Sequence, residues 1–478
     1  MSGQRKLVVN SLSMLVNKLT QGITTFVLTA AIARNLGASS LGQYLLALSY
    51  YYIFVNLISQ GFKTLFTREI AREPELTSEY LVSGTLLQFV FSIIGYLALV
   101  VVVFLLPYNA DTSFICYVMG LTIVPFALSN ITEAIFQAQE KMHLIAISTV
   151  PVYILRLLVM IWAIQLNYGV EYIAGILLFS ECLILVIEWL LLTQIIKPKW
   201  RIKQDFIWKT IKAARTFVAI EGIGIISSKL NLLILSILGS EVLVGIYGAV
   251  IQLLQPFILV SSSIALAAFP SMSKAVAIDR NQQRKVAEDV INILLCMSLP
   301  FFVGILLFSH DLLSLVYKDQ GITEAATTLK LVSFALISTS FSGIFGYLLI
   351  ANSFERFNLI EAVLTTLVGG VSGIVLIGQY QLLGAALMSL FMSYTNLSFF
   401  GYIIYRRLFS LNFRRVLIRP SLITTFMTAI FFLLKATNLN FAWILIFAFS
   451  IYIMLISLLA VRQFGGFNSV YKKILSKG

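Results

Sequence analysis

Ionisable and amide side chains interrupt otherwise apolar runs at a few places in this chain. Asn10, Asn17, Gln21 and Thr24 stand 7, 4 and 3 residues apart. On a helix advancing 100° per residue they fall within about 60° of one another, a polar stripe flanked by Lys18. Interhelical hydrogen bonding is one use for such a stripe. Its length and the adjacent lysine favour a second, the wall of a wet cavity. A later run repeats the pattern: Ser228 follows Glu221 by seven residues, with Lys229 beside it. Arg156 interrupts a further apolar run, where a cation needs a partner. Glu181 and Glu188, seven apart and so on one helical face, are the nearest acids along the chain. Arg34 closes the first apolar run, placed to cap its own helix's carbonyls or to grip a pyrophosphate with its planar fork. Lys18, Arg34, Arg156 and Lys229, with Asn17 and Gln21, are therefore candidate ligands for an anionic cargo. Glu181 and Glu221 are candidates for ion coupling, because a carboxyl taken out of water holds a proton more readily. Glu133 and Glu361, near the ends of their runs, are expected to snorkel to the surface, as is Lys330.

The elements that position these groups must be membrane helices. The chain has 478 residues, 59% hydrophobic and 12% charged, about half the charge of an ordinary soluble protein. No soluble core hides that much apolar surface, so the bilayer is its solvent. Fourteen apolar segments are long enough to span it: 8–35, 40–62, 80–106, 113–137, 143–165, 170–195, 211–237, 242–269, 287–308, 326–350, 357–379, 382–405, 418–435 and 440–461. The opening MSGQRK and the run behind it imitate a signal peptide, but that run extends to about Ala33 and carries polar residues, so it reads as the first span.

Net charge is +13, which in a soluble protein would suggest nucleic acid. Here 27 of the 34 basic residues fall at the N-terminus, in every second link and in the C-terminal tail, 3 at the opposite ends, and 4 within spans. That alternation orients the chain with both termini in the cytoplasm, and missing one span would scramble it. The basic amphipathic stretch 197–210 reads as a linker on the anionic inner leaflet, between an N-terminal lobe of residues 1–196 and a C-terminal lobe of 211–408. Residues 409–478 hold two further helices and a basic tail. Three isolated cysteines give neither metal-ligand spacing nor a disulfide framework. With no phosphate-binding loop, zinc-protease motif, nucleophile elbow or dinucleotide fingerprint in the sequence, no cofactor or metal is expected, nor an ATP-driven or enzymatic activity.

Residues 33–49, ARNLGASSLGQYLLALS, have a cousin at 235–250, LSILGSEVLVGIYGAV. Each copy joins the first helix of a six-helix group to its second, so the repeats run parallel rather than inverted, with a site expected between them. The pair A-R-x-L-G…G-x-Y and L-G-S-E…G-x-Y resembles the polysaccharide transporters of the MOP superfamily, the Wzx-like flippases of O-antigen and related repeat units. The likeness covers the whole chain. It implies an all-α membrane fold of two six-helix lobes related by pseudo-two-fold symmetry in a V, with the last two helices appended. It also implies alternating-access export of an undecaprenyl-pyrophosphate-linked oligosaccharide in the bacterial inner membrane, beside polysaccharide polymerase and assembly proteins. Relatives often carry an acid before the second turn, where this chain reads Ser228-Lys229-Leu230-Asn231. Small residues around Ser228 and Lys229 also permit local unwinding there. Two rival readings are a multidrug or ion antiporter of the related MATE branch and a membrane-embedded glycan polymerase or ligase.

Overall fold

In a computed structural model the described residues are 3–196, 204–276, 278–437 and 439–463. Lys197, Lys199, Arg201 and Lys203 of the basic linker, and Lys472, Lys473 and Lys477 of the tail, lie outside them. The described chain is helical throughout. A first continuous helical stretch breaks at Gly37, whose φ of +82° suits a residue without a Cβ. It therefore forms two antiparallel rods, α1 (3–36) and α2 (38–72). Next come α3 (Thr77–Leu105), α4 (Ala110–Ala138), α5 (Met142–Gln165) and α6 (Val170–Thr193). The second half repeats them as α7 (Gln204–Leu238), α8 (Glu241–Val276), α9 (Arg280–Tyr317) and α10 (Ala326–Ala351). A long rod then splits at Gln381 (φ +47°) into α11 (356–380) and α12 (382–407). Finally α13 (Phe413–Ala436) and α14 (Phe441–Gln463) complete fourteen.

Several helices outrun their apolar segments. α2 continues to Arg72, α8 to Val276 and α9 to Tyr317. Hydropathy sees only the part in hydrocarbon; polar turns beyond it stay helical because water and ion pairs satisfy their side chains. The basic stretch from Gln204 onward is likewise already helix, running without a break into α7. Irregular turns inside spanning rods lie elsewhere, among them a π turn at Asn56–Gln60 of α2 and a kink at Phe308 of α9. No unwinding occurs at Ser228, whose hydroxyl donates to the Ile225 carbonyl of its own helix.

Two faces can be told apart. The hairpin face carries the turns at Gly37, Gly239 and Gln381; the basic face carries the start of α1 and the basic links. The largest buried cluster lies toward the hairpin face and is shared by both halves, from Leu28, Leu41 and Tyr51 to Leu235, Tyr247 and Leu313. A second cluster packs Phe62, Phe66, Tyr80 and Phe136 against Ala214 near the basic face. α13 is stapled to α9: Asn292 donates to the Val416 carbonyl at 2.9 Å, and Glu288 accepts from the Asn412 backbone at 2.8 Å. Much of the outer surface is large and apolar, as in Phe104 and Phe179, each 77% exposed. In water that area would drive aggregation; it belongs against lipid tails.

Candidate functional site between and beneath the hairpins

The repeated glycines do two different jobs. Gly37 makes a turn. Gly42 and Gly245 instead make the contact between lobes. A methyl group on Gly42 would lie 2.7 Å from the Glu241 carbonyl carbon and 3.0 Å from the Gly245 nitrogen. One on Gly245 would lie 2.9 Å from the Ala38 carbonyl carbon and 2.8 Å from the Gly42 nitrogen. Ala38 pairs with Gly245 as Glu241 pairs with Gly42, and both equivalent pairs keep one separation along the chain. This is an isologous contact, of the kind a two-fold dimer makes, folded inside a single polypeptide.

Polar groups latch the same face. Arg34 caps helix carbonyls as expected of its type, but not those of its own helix. Its Nε donates to the Val316 carbonyl at 2.5 Å and its Nη2 to Leu315, at the end of α9 in the other lobe. Those carbonyls lack partners within their helix, and a cation suits the negative end of a helix dipole. Glu241, in the first turn of α8, accepts in turn from Gln43 at 3.2 Å and from Thr112 of the first lobe. Tyr108, in the loop before α4, bonds Ser236 at 2.7 Å and Tyr50 at 2.8 Å; burial raises its phenol above the ordinary value, which keeps it a neutral hydroxyl. Together these bonds tie the two lobes across the hairpin face. Toward the basic face, α7 meets the first lobe through rings and apolar chains, with Phe206 edge-on to Tyr80 and Phe217 beneath Arg68.

Beneath the latch lies a polar cavity of about 60 Å³ inside the first lobe, room for a few water molecules. Gln21 and Thr24 of α1, Tyr44, Tyr51 and Tyr52 of α2, and Tyr153, Arg156 and Glu181 line it. Arg156 donates to Glu181 at 2.9 Å and to Ser180 at 3.3 Å, and lies over the Tyr153 ring at 4.8 Å. The ammonium of Lys229 reaches across from α7 to stand 5.4 Å over the Tyr52 ring. It is half-buried and has no carboxylate partner among the described residues. Arg156, Glu181, Gln21 and, through Tyr52, Lys229 are thus gathered around one group of tyrosines.

The remaining candidates are dispersed. Asn10 leaves the stripe: it donates to the Glu140 carbonyl at 2.8 Å and accepts from the Met142 amide at 3.1 Å, tying α1 to the α4–α5 turn. Asn17 is half-buried with an unpartnered oxygen, while Lys18 and Glu221 are exposed. Glu188 does not share Arg156; it accepts from Ser148 at 3.2 Å. Two acids expected to snorkel do not. Glu133 forms an ion pair with Lys63 of α2, and Glu361 is buried, accepting from Thr365 at 2.6 Å and Asn396 at 2.5 Å. Both sit where helices converge, so a neighbouring donor is nearer than water. Lys330 is exposed, as a snorkelling lysine should be. The second lobe has its own polar knot, in which Tyr247 and Ser389 bond each other and Asn231, the latter at 3.0 and 2.7 Å. The tyrosines were missed because a tyrosine in an apolar run scores as one more hydrophobic residue; the G-x-Y of each repeat was the available signal.

Among the described residues, fourteen helices in two parallel-repeat lobes, joined at the hairpins and flanked by an extra pair, build a membrane protein with the fold of MOP-superfamily structures. The chain belongs to the family described as polysaccharide biosynthesis protein, whose sequence profile matches residues 7–276. Among solved structures, it is similar to the lipid II flippase MurJ in an inward closed conformation, at a TM-score of 0.77 and 16% identity, covering 95% of this chain and 98% of that one. An inward-facing multidrug-resistance MATE transporter matches at 0.63 and 14% identity, over 88% and 99% of the two chains. A MOP-superfamily transporter from Pyrococcus furiosus matches at 0.60 and 15%, over 87% and 96%. At these identities the likeness is one of fold. No curated protein sequence matches this chain.

Proposed function

We propose that this protein is a flippase that carries an undecaprenyl-pyrophosphate-linked oligosaccharide from the basic face to the hairpin face by alternating access between its lobes. The observation that carries the reading is Lys229, a half-buried cation at the lobe interface with only an aromatic ring for company. An uncompensated cation at membrane depth favours an anionic cargo, and a pyrophosphate headgroup supplies the missing charge. Lys18, exposed on α1, adds a second cation, and Asn17 and Gln21 offer amides to sugar hydroxyls. Arg156 is matched by Glu181, so it acts on cargo only through the cavity they share. Arg34 holds the exit shut rather than holding cargo in the sealed state. The family's link to polysaccharide biosynthesis supports a glycan cargo, and the even helix count with its basic links supports both termini on the cytoplasmic side of a bacterial inner membrane. Residues 1–196 and 211–408 are proposed as the moving lobes. Anionic inner-leaflet lipids are proposed to hold the basic links, and polysaccharide polymerase or assembly proteins to receive the cargo.

The test is a flipping assay in proteoliposomes with polyprenyl-pyrophosphate-linked N-acetylglucosamine carrying a fluorophore on the sugar. The wild-type protein is expected to move it between leaflets, with K229Q slower and K229E inactive at equal protein level. Export of a small cationic dye alone would identify an antiporter. Chain lengthening of the probe would identify a polymerase. Either outcome ends the flippase reading.

A further inference from the structure

The interior of the first lobe holds three carboxylates against two cations. Glu181 has Arg156 at 2.9 Å, and Glu133 has Lys63. Glu188 has neither. It lies two turns from Glu181 on the same face of α6, is 0% exposed, and offers one oxygen to the Ser148 hydroxyl at 3.2 Å. Its other oxygen, Oε2, is fully buried with no hydrogen-bond partner. The groups that bear on it are Ser148 from α5, Glu133 from α4, Lys63 from α2, and Glu181 on its own helix, the last already paired with Arg156. Were all three carboxyls ionised, the lobe would enclose one uncompensated negative charge, which hydrocarbon does not tolerate.

Two further features converge here. The π turn Asn56–Gln60 of α2 lies one turn before Lys63 and is held from outside: Asn130 donates to Ser59 at 2.7 Å, and Gln88 to the Ile58 carbonyl at 3.4 Å. Such turns concentrate at functional sites and yield easily. The water-sized cavity at Glu181 lies about 10 Å farther toward the hairpin face, by the rise of seven helical residues. A metal ion suits the place poorly. Lys63 already occupies Glu133, and no group of three His, Cys, Asp or Glu side chains able to hold a metal occurs among the described residues.

Resting on the transporter reading above, we propose that Glu188 is a proton-exchange site that couples transport to the proton gradient. In the sealed form Oε2 carries the proton. When α2 bends at its π turn and water reaches α6 from the basic face, the proton leaves to that water and the carboxylate remains, hydrated. Reprotonation, by way of the cavity at Glu181, returns the lobe to its sealed form. The sign follows: a proton held preferentially by the sealed form stabilises it at low pH, and that stabilisation is lost as pH rises.

The experiment measures flipping of the same fluorescent probe in liposomes loaded with pyranine, with and without a gradient of one pH unit, which biases a one-proton step by about tenfold. The wild-type rate is expected to respond to the gradient, and the lumenal pH to change as the probe moves. Glu188→Gln is expected to flip the probe at a rate indifferent to the gradient, and Glu188→Asp to keep the response. A Glu188→Gln protein with the wild-type response overturns the proposal. So does wild-type flipping without proton movement, a measurement that stands even if the variant fails to fold. A sodium gradient that drives flipping while a proton gradient does not also overturns it. A wild-type protein that flips none of the probe at any pH overturns the transporter reading and the coupling that rests on it, whereas flipping without proton movement overturns the coupling alone.

Discussion

The two lobes start from the same hairpin and finish with different interiors. In the first, Tyr44 looks into a cavity beside the Arg156–Glu181 pair, with Lys63, Glu133 and Glu188 farther down. In the second, the equivalent Tyr247 closes a neutral knot with Asn231 and Ser389. Its deeply placed acids, Glu288 and Glu361, lie near the basic face and are held by arginines and backbone or by uncharged donors. The repeat preserves the path of the backbone, while the chemistry along it has diverged. One lobe stores charge, and the other presents a fixed wall.

That contrast can be broken by substitution. Arg156→Met leaves Glu181 buried without its partner and should cost about 3–5 kcal/mol, whereas Arg156→Met with Glu181→Met should recover most of it. Thermal unfolding in detergent micelles reads both, and equal losses in the two proteins would mean that the pair is not the charge store described. Gly245→Val forces a side chain into the Ala38 carbonyl across the lobe contact. About 1–3 kcal/mol of destabilisation is expected, matched by Gly42→Val if the contact is truly two-fold; a large difference between them would show that it is not. Tyr247→Phe removes one hydroxyl from a neutral network and should cost about 1 kcal/mol, well below the loss at Arg156. Arg34→Gln removes a helix-end charge worth about 0.3–1 kcal/mol. Its readout is local: hydrogen exchange at 34–45 and 238–248 should quicken, while the cores of both lobes stay as they were. Unchanged exchange there would remove Arg34 from the latch.

The sequence made the scaffold readable because each span must satisfy its own backbone in hydrocarbon, and length and apolarity alone report that. All fourteen helices, the parallel repeat and the Gly37 turn could be read this way. The left-handed turn at Gln381 carries no glycine to announce it. Site residues were legible only one at a time. Arg156 demanded a partner and Glu181 supplies it, but Asn10 shared a helical stripe with Gln21 and spends its amide on a turn far along the chain. Periodicity gives the face a residue occupies, and the packing of other helices decides what that face meets. For the same reason Glu133 and Glu188, read as a surface acid and a spare partner, became legible only once α2, α4 and α6 were seen together.

The Gly42–Gly245 crossing has a mechanical side. α8 spans 36 residues, about 54 Å at 1.5 Å per residue, and the crossing sits near one end of it. A bearing placed there gives the far end a long lever: tilting by about 10° sweeps that end through roughly 8–9 Å, while the backbones at the crossing barely slide. Parting the lobes at the basic face leaves that bearing in place and separates contacts such as Tyr80 on Phe206 and Arg68 on Phe217. Parting them at the hairpin face requires the bearing itself to come apart, along with the Arg34 and Glu241 bonds around it. Opening at the two faces is unequal by construction, because among the described residues only the hairpin face has backbones in direct contact at paired glycines.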